Sequence, residues 1–432
     1  MNGPRRRSAM RIVAALAIGA LAACGSSPGE GPTTPNVPGT PDELPISGTA
    51  VPGMASVDSV ISALMARWDI PGGAVGIVRD GRLVYARGFG YADVAAETVT
   101  RPDDMFRLAS VSKPVTAVAI LRLVEEGRLS LDAPAFALLP DITPLPGATV
   151  DPRLASVTVR QLLEHSGGWD RALTFDPMFR PTDIAAATGT PAPASADAIV
   201  RYMLGQPLDF DPGTRFAYSN FGYAVLGRII ERVTGGSYEQ YVREAVLAPA
   251  GVTRMRLGRS LLADRAPGEV RYYDAATVNS VFPGGGAVPL PYGGFNIEAM
   301  DAHGGWIASA VDLLRFETAV DLLPSRPDVL TPASIGLMTA RPAPPLWDGS
   351  PVHYGLGWMV HLVEGNRWHG GSLPGTATIM VRTGTNIAWV ALFNAHPMKP
   401  NTTIEAELDD AMWEAVNGVT AWPAHDLFAS FP

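Results

Sequence analysis

Strand-patterned segments stand at both ends of one long folded body while the stretch between them is patterned mainly as helix, and that order limits the folds open to this chain. Near the start, Ala74 to Arg79 and Arg82 to Tyr91 read as strands flanking Asp80-Gly81, a dipeptide that accepts the positive φ angles of a tight hairpin. Near the end, Gly357 to Leu362, Ala377 to Arg382 and Ile387 to Phe393 read as further strands. Between them, Val115, Val118, Ala119, Leu121, Leu123 and Val124 form an apolar helical stripe that Gly127 can stop. Val157 to Leu163, Ser195 to Leu204, Phe221 to Val233, Tyr238 to Leu247 and Ala310 to Val320 continue the helical pattern. One helix precedes the first hairpin, with Val57, Ile61, Leu64 and Trp68 behind Ser56 as a cap, and the last carries Ile404, Leu408, Met412 and Val416 on one face. The order predicts an α+β fold: an antiparallel sheet assembled from both ends and flanked by helices, with an inserted mainly helical subdomain. Arg265 to Gly294, dense in Gly and Pro and carrying Tyr272, Tyr273 and Tyr292, reads as a lid or binding loop.

The N-terminus has a different composition. Arg5-Arg6-Arg7 and Arg11 precede an apolar run from Ile12 to Ala20, too short for the roughly 20 residues that span a bilayer, so residues 1–23 read as a signal peptide. Leu21-Ala22-Ala23-Cys24 is similar to a bacterial lipobox, which predicts lipidation at Cys24; an ordinary secretory signal ending in a chance Cys is the alternative. Cys24 is the only cysteine, so no intrachain disulfide can form and the body relies on its core. Residues 24–53 are Gly, Ser, Thr and Pro with little that is apolar, and read as a tether; residues 54–432 form the globular body. The predicted product is exported and held to a membrane by an N-terminal lipid, facing the periplasm or cell exterior. With a formal charge of -9 before four arginines leave with the signal, nucleic acid is a poor partner.

Two lysines occur in the chain, and one of them is Lys113, in Ser110-Val111-Ser112-Lys113. Arginine cannot give up its proton in a protein, whereas a desolvated lysine can be driven neutral and act as a base. A serine three residues before it on a helix lies within side-chain reach, so Ser110 is a candidate nucleophile and Lys113 its base. The same two residues would also suit a plain helix cap followed by a solvated lysine. Two later segments offer what acyl transfer needs in addition. Tyr218-Ser219-Asn220 stands at a helix entrance, and His369-Gly370-Gly371-Ser372 stands on a strand edge where Gly permits close approach.

Ser-Val-Ser-Lys, Tyr-Ser-Asn and His-Gly-Gly, in this order and at these wide spacings, resemble the three motifs of the serine β-lactamase and penicillin-binding protein superfamily. Val159 to Gly168, Tyr354 to Trp358 and His369 to Gly375 agree with its class C and D,D-peptidase branch, which includes esterases. The resemblance implies Ser110 as nucleophile, Lys113 as its activating partner and Tyr218 as an acid toward the leaving group, its phenol lowered by the adjacent ammonium. It implies that Asn220 binds a substrate amide, and that the N–H groups of Ser110 and Ser372 form an oxyanion hole beside His369 and Gly371. No cofactor and no metal is implied. The third motif departs from the Lys-Thr-Gly of class C β-lactamases. As an imidazolium His369 would hold a substrate carboxylate; otherwise it only shapes the strand edge.

The expected protein is an exported serine hydrolase that cleaves an amide or ester through an acyl-enzyme, with D-amino-acid peptides or small esters as substrates. A β-lactamase, and a non-hydrolytic lipoprotein that binds peptidoglycan or a partner, are the alternatives. His165 and His303 lack the His-Glu-x-x-His spacing of zinc peptidases, and the Gly-x-Ser-x-Gly match at Gly25 to Gly29 falls in the tether, with no strand and helix to make it a nucleophile elbow. His353, His361, His396 and His425 read as ordinary surface or core residues.

Overall fold

A computed structural model describes residues 44–400 and 402–431. The signal sequence, Cys24 and the tether up to residue 43 lie outside the described residues. The body begins earlier than composition indicates, because Ile46–Ser47 already pairs with the sheet and Val51 is buried.

The main sheet uses β1 (Ile46–Ser47), β2 (Gly72–Arg79), β3 (Arg82–Asp93), β4 (Val352–Tyr354), β5 (Met359–His361), β6 (Asn366–Leu373), β7 (Thr376–Arg382) and β8 (Ile387–Phe393). Their spatial order is β1-β3-β2-β8-β7-β6-β5-β4, every neighbouring pair antiparallel, with Thr98–Val99 added beside β3. The two ends of the body therefore meet at the β2–β8 pair in the middle of the sheet. Asp80 and Gly81 both have positive φ, 50° and 74°, which is the backbone that lets a two-residue turn follow the strand twist.

Helices α1 (Ala55–Trp68), α2 (Ser112–Glu125), α3 (Asn220–Thr234), α4 (Ala310–Thr318) and α5 (Ile404–Asn417) cover both faces. Side chains alternate across a strand, so one strand feeds two cores. In β8, Trp389, Ala391 and Phe393 join α1 and α5 in one apolar cluster, while Ala388, Val390 and Leu392 face the other with α2, α3 and α4. Burial on both faces explains why β2 and β8 are nearly continuous apolar runs despite antiparallel pairing. Ser56 does not cap α1: its hydroxyl donates to Ala415 O at 2.8 Å and ties α1 to α5.

The expected lid is corrected. Tyr272 and Tyr292 are buried, not exposed, and the Arg107 guanidinium donates to Pro291 O and lies 4.3 Å from the Tyr272 ring centre. Tyr272 Oη accepts from the Arg107 N–H at 2.8 Å and donates to Glu269. The segment is clamped to the strand that leads into Ser110, because a buried guanidinium needs carbonyl acceptors and an aromatic wall, and these residues supply them.

Candidate active site

The strand Phe106–Arg107 leads through Leu108 and Ala109 into a short turn, Ala109–Val111, and then α2. Ser110 is thus held in a tight turn just ahead of the α-helix. Ala109 has φ of +47°, a left-handed conformation that costs an L-residue of order 1–3 kcal/mol and persists where the surroundings fix it. Two bonds fix it here: Leu108 N–H donates to Trp306 O at 2.9 Å, and the Thr378 hydroxyl donates to Leu108 O at 2.9 Å. Gly371 of β6 lies against this turn so closely that a Cβ on it would stand 2.2 Å from Leu108 O and 3.2 Å from Ala109 Cβ. Only glycine lets the third motif reach the turn that carries Ser110.

Lys113 is fully buried in the first turn of α2, where Pro114 follows without loss of a helical bond. Its Nζ lies 2.8 Å from Asn220 Oδ1, 2.9 Å from the His303 carbonyl and 3.1 Å from Ser110 Oγ. Burial pushes its pKa well below the ordinary lysine value, the charge of Arg171 adds to this, and Asp176 opposes it. A neutral amine has two N–H groups and one lone pair. The carbonyl oxygens of Asn220 and His303 take the two N–H groups, which leaves the lone pair to accept the Ser110 hydroxyl.

Tyr218 and Asn220 enter from the start of α3. Ser219 caps that helix, its hydroxyl accepting from Gly222 N–H, so the residues on either side are held at a rigid entrance. The Tyr218 ring centre lies 4.7 Å from Lys113 Nζ and 5.0 Å from Arg171 Cζ. Burial raises the phenol above its ordinary value, against the lowering effect of a hydrogen bond with Ser110 and of Arg171. The expected lowering by a neighbouring ammonium is overturned, since desolvation holds Lys113 neutral and outweighs what charge remains. Tyr218 is therefore a phenol with a proton to donate. Asn220 Nδ2 donates to Asp176 Oδ2 at 2.7 Å.

Of the two readings of His369, its surroundings favour the neutral ring over the imidazolium. The ring is buried, and burial followed by the charge of Lys113 pushes its pKa down to about 3. Its Nδ1 is 2.7 Å from the Gly370 carbonyl, which can only accept, so Nδ1 carries the proton and Nε2 accepts from Tyr354 Oη at 2.9 Å. A neutral ring with both nitrogens engaged shapes the strand edge. Ser372, two residues beyond Gly370 on β6, holds its hydroxyl 2.9 Å from His396 Nε2, which also contacts Glu405 Oε1 at 2.6 Å.

Ser110, Lys113, Tyr218 and Asn220 thus converge beside Gly371, and His369 joins them through the protein interior. Sequence reasoning missed four contributors. His165 Nδ1 accepts from Ser219 N–H at 3.1 Å and its ring packs 4.3 Å from Tyr218, so it braces the second motif. The His303 main chain receives Lys113, and Arg171 and Asp176 stand on the loop facing both. Only His165 left a signal, as the polar residue of His-Ser-Gly-Gly after a capped helix; Arg171 and Asp176 lie in irregular backbone, and His303 acts through its main-chain carbonyl, which has no side-chain signature.

The model of the Beta-lactamase family matches residues 57–411. Esterase EstB of Burkholderia gladioli is 32% identical over 252 residues, 55% of this chain and 59% of EstB. The chain spans less than two thirds of the length of the curated relatives it matches. Among solved structures, the octameric penicillin-binding protein homologue from Pyrococcus abyssi superposes with a TM-score of 0.62 at 26% identity, covering 83% of this chain and 77% of that one. D-amino acid amidase from Ochrobactrum anthropi SV3 shares the fold with a TM-score of 0.66 at 22% identity, over 85% and 99% of the two chains. With its motifs converged on one turn and most of its length matched, the chain belongs to the Beta-lactamase family of serine hydrolases.

Proposed function

We propose that this chain is an exported, lipid-tethered hydrolase that cleaves esters or amides through an acyl-enzyme on Ser110. The observation that carries the reading is the buried Lys113, whose two carbonyl partners leave its lone pair for the Ser110 hydroxyl. Lys113 takes the Ser110 proton as Oγ attacks the substrate carbonyl, and the N–H groups of Ser110 and Ser372 receive the oxyanion. Tyr218 donates its proton to the leaving oxygen or nitrogen as that bond breaks. Lys113 returns the Ser110 proton to Tyr218, and a water then attacks the acyl carbonyl, its proton passing through the same groups as Ser110 is released.

A neutral His369 gives the third motif no fixed positive charge for a substrate carboxylate. Uncharged esters and D-amino-acid amides or peptides therefore suit the site better than cephalosporins, and the relative named as an esterase supports the first of these. Fluorophosphonate labelling and a panel of p-nitrophenyl esters, D-Ala-D-Ala peptides and a chromogenic cephalosporin test this on the purified protein. The expected result is a single label on Ser110, lost in Ser110→Ala together with ester turnover, and poor cephalosporin hydrolysis. Label on another serine, with Ser110→Ala still active, rejects the assignment. Fractionation of cells tests the tether: the wild type stays with membranes and Cys24→Ser is released.

A further inference from the structure

Asp176 touches neither Ser110 nor Lys113, yet it determines which way the hydrogen bonds between them run. It caps the short turn Pro177–Phe179, with Oδ1 accepting from Met178 N–H at 3.1 Å, and its side chain is 3% exposed. Its Oδ2 accepts from Asn220 Nδ2 at 2.7 Å and lies 3.8 Å from an Arg171 Nη atom. A carboxylate only accepts, so it must face the NH2 end of the Asn220 amide. The other end, Oδ1, is then presented to Lys113, which must donate to it. The His303 carbonyl takes the second N–H of the amine, and the lone pair is left for Ser110.

We propose that Asp176 is the positioning residue of this site: it fixes the polarity of the chain Asp176–Asn220–Lys113–Ser110 and thereby keeps Lys113 a proton acceptor toward Ser110. This rests on the reading of Ser110 as nucleophile and Lys113 as its base. If the amide turned over, Nδ2 would face the amine, and the only lone pair on Lys113 would accept from Asn220 instead of from Ser110. The turn would also withdraw the second Nδ2 hydrogen, the one left to donate to a substrate acyl amide. Proton transfer would lose its acceptor without any change in the shape of the pocket.

The charges facing Lys113 set the pH at which this can be read. Arg171 and Asp176 face it from the loop, Tyr218 from the entrance of α3 and Tyr223 from that helix, and His303 from the helix Asp301–Gly304. His165 and His369 are coupled to it from the loop after Val159–Leu163 and from β6. Arg171 and Asp176 pull the lysine in opposite directions, so neutralising Asp176 lowers the pH at which Lys113 loses its proton.

The test is the pH dependence of kcat/KM for a p-nitrophenyl ester in wild type, Asp176→Asn and the double variant Asp176→Asn/Asn220→Asp. Asp176→Asn keeps the shape but frees the amide, so the plateau is expected to fall about 10²-fold, the size of a lost general base, while the acid limb moves to lower pH. In the double variant the carboxylate placed at position 220 can only accept, which makes Lys113 donate to it again, and the amide placed at position 176 can supply the opposing NH2. Its activity is expected to recover about tenfold over the single variant, with the acid limb displaced to higher pH by the carboxylate against the amine. A single variant within about threefold of wild type, or one that falls with its acid limb unmoved, overturns the proposal. So does a double variant no more active than the single one, whether or not either is less stable. Ser110→Ala separates the two ideas. Ester turnover that survives it rejects the reading of the site, whereas a Ser110-dependent enzyme indifferent to Asp176→Asn rejects only the role of Asp176.

Discussion

Removing a lysine from water changes what its nitrogen can do, and at the scale of single residues this governs the site. Lys113 must be neutral to accept the Ser110 proton, so activity is present above its folded pKa and lost as pH falls through it. Burial and Arg171 depress that pKa, which moves the acid limb of kcat/KM far below the ordinary lysine range and keeps the base competent at neutral pH. Tyr218 is shifted the other way, so ionisation of the phenol does not cut activity until strongly alkaline pH. Between about pH 5 and 8 His369 stays neutral, being pushed down to about 3, and substrates with and without a carboxylate should show parallel profiles there. A fall confined to the carboxylate-bearing substrate through that window would restore the charged imidazole. Ser110, Lys113, Tyr218 and Asn220 were legible because each sits at a fixed place in a short motif. The charge state of His369 was not, since it follows from burial of the ring and then from the charge of Lys113, which other elements far along the chain bring about. Asp176 was illegible for a similar reason: the residue it orients is on another element, with the helices Pro181–Thr188 and Ala196–Met203 between the two in the chain.

At the scale of elements, the site depends on β6 and the Ser110 turn touching through backbone. Gly371→Ala would drive a methyl into Leu108 O, and the turn cannot yield freely because Trp306 and Thr378 hold Leu108 from both sides. The expected cost is about 1–3 kcal/mol of stability, with ester kcat/KM falling further than the stability loss accounts for because the N–H groups proposed as oxyanion donors would separate. Thermal unfolding and kinetics on the same preparation check this; a variant with wild-type melting and turnover would show that the strand and turn have room to part. The hairpin and the central strands were readable from turn residues and β-branched runs, and the helices from their apolar stripes. The segment from Arg265 to Gly294 was misread because Gly and Pro reveal irregular backbone but not its anchor. Arg107, which supplies the anchor, stands on a strand much earlier in the chain.

At the scale of the whole molecule, Glu164 offers a view of stability separate from catalysis. It is buried at the end of the helix Val159–Leu163, and burial, against the nearby Arg160, pushes its pKa up to about 7. A carboxyl raised above its unfolded value contributes stability that is full below about pH 4.5 and is lost as pH rises through 7. Glu164→Gln should flatten that dependence and leave the protein more stable than wild type at pH 8 by on the order of 1–3 kcal/mol. Melting curves at pH 5 and pH 8 decide it, and equal pH slopes for the two proteins would remove Glu164 from the account. The β2–β8 pair, in which Arg79 lies opposite Ile387 and Gly73 opposite Phe393, has a consequence in time. While the chain is being synthesised, the first hairpin has one edge with no neighbour until Ile387–Phe393 has emerged. The sheet cannot close piecemeal, so its central pairing waits for a strand made long after the hairpin it joins. For a chain exported as proposed, that delay keeps it threadable when it reaches a secretion channel, and it acquires both its core and its reacting groups together on the far side.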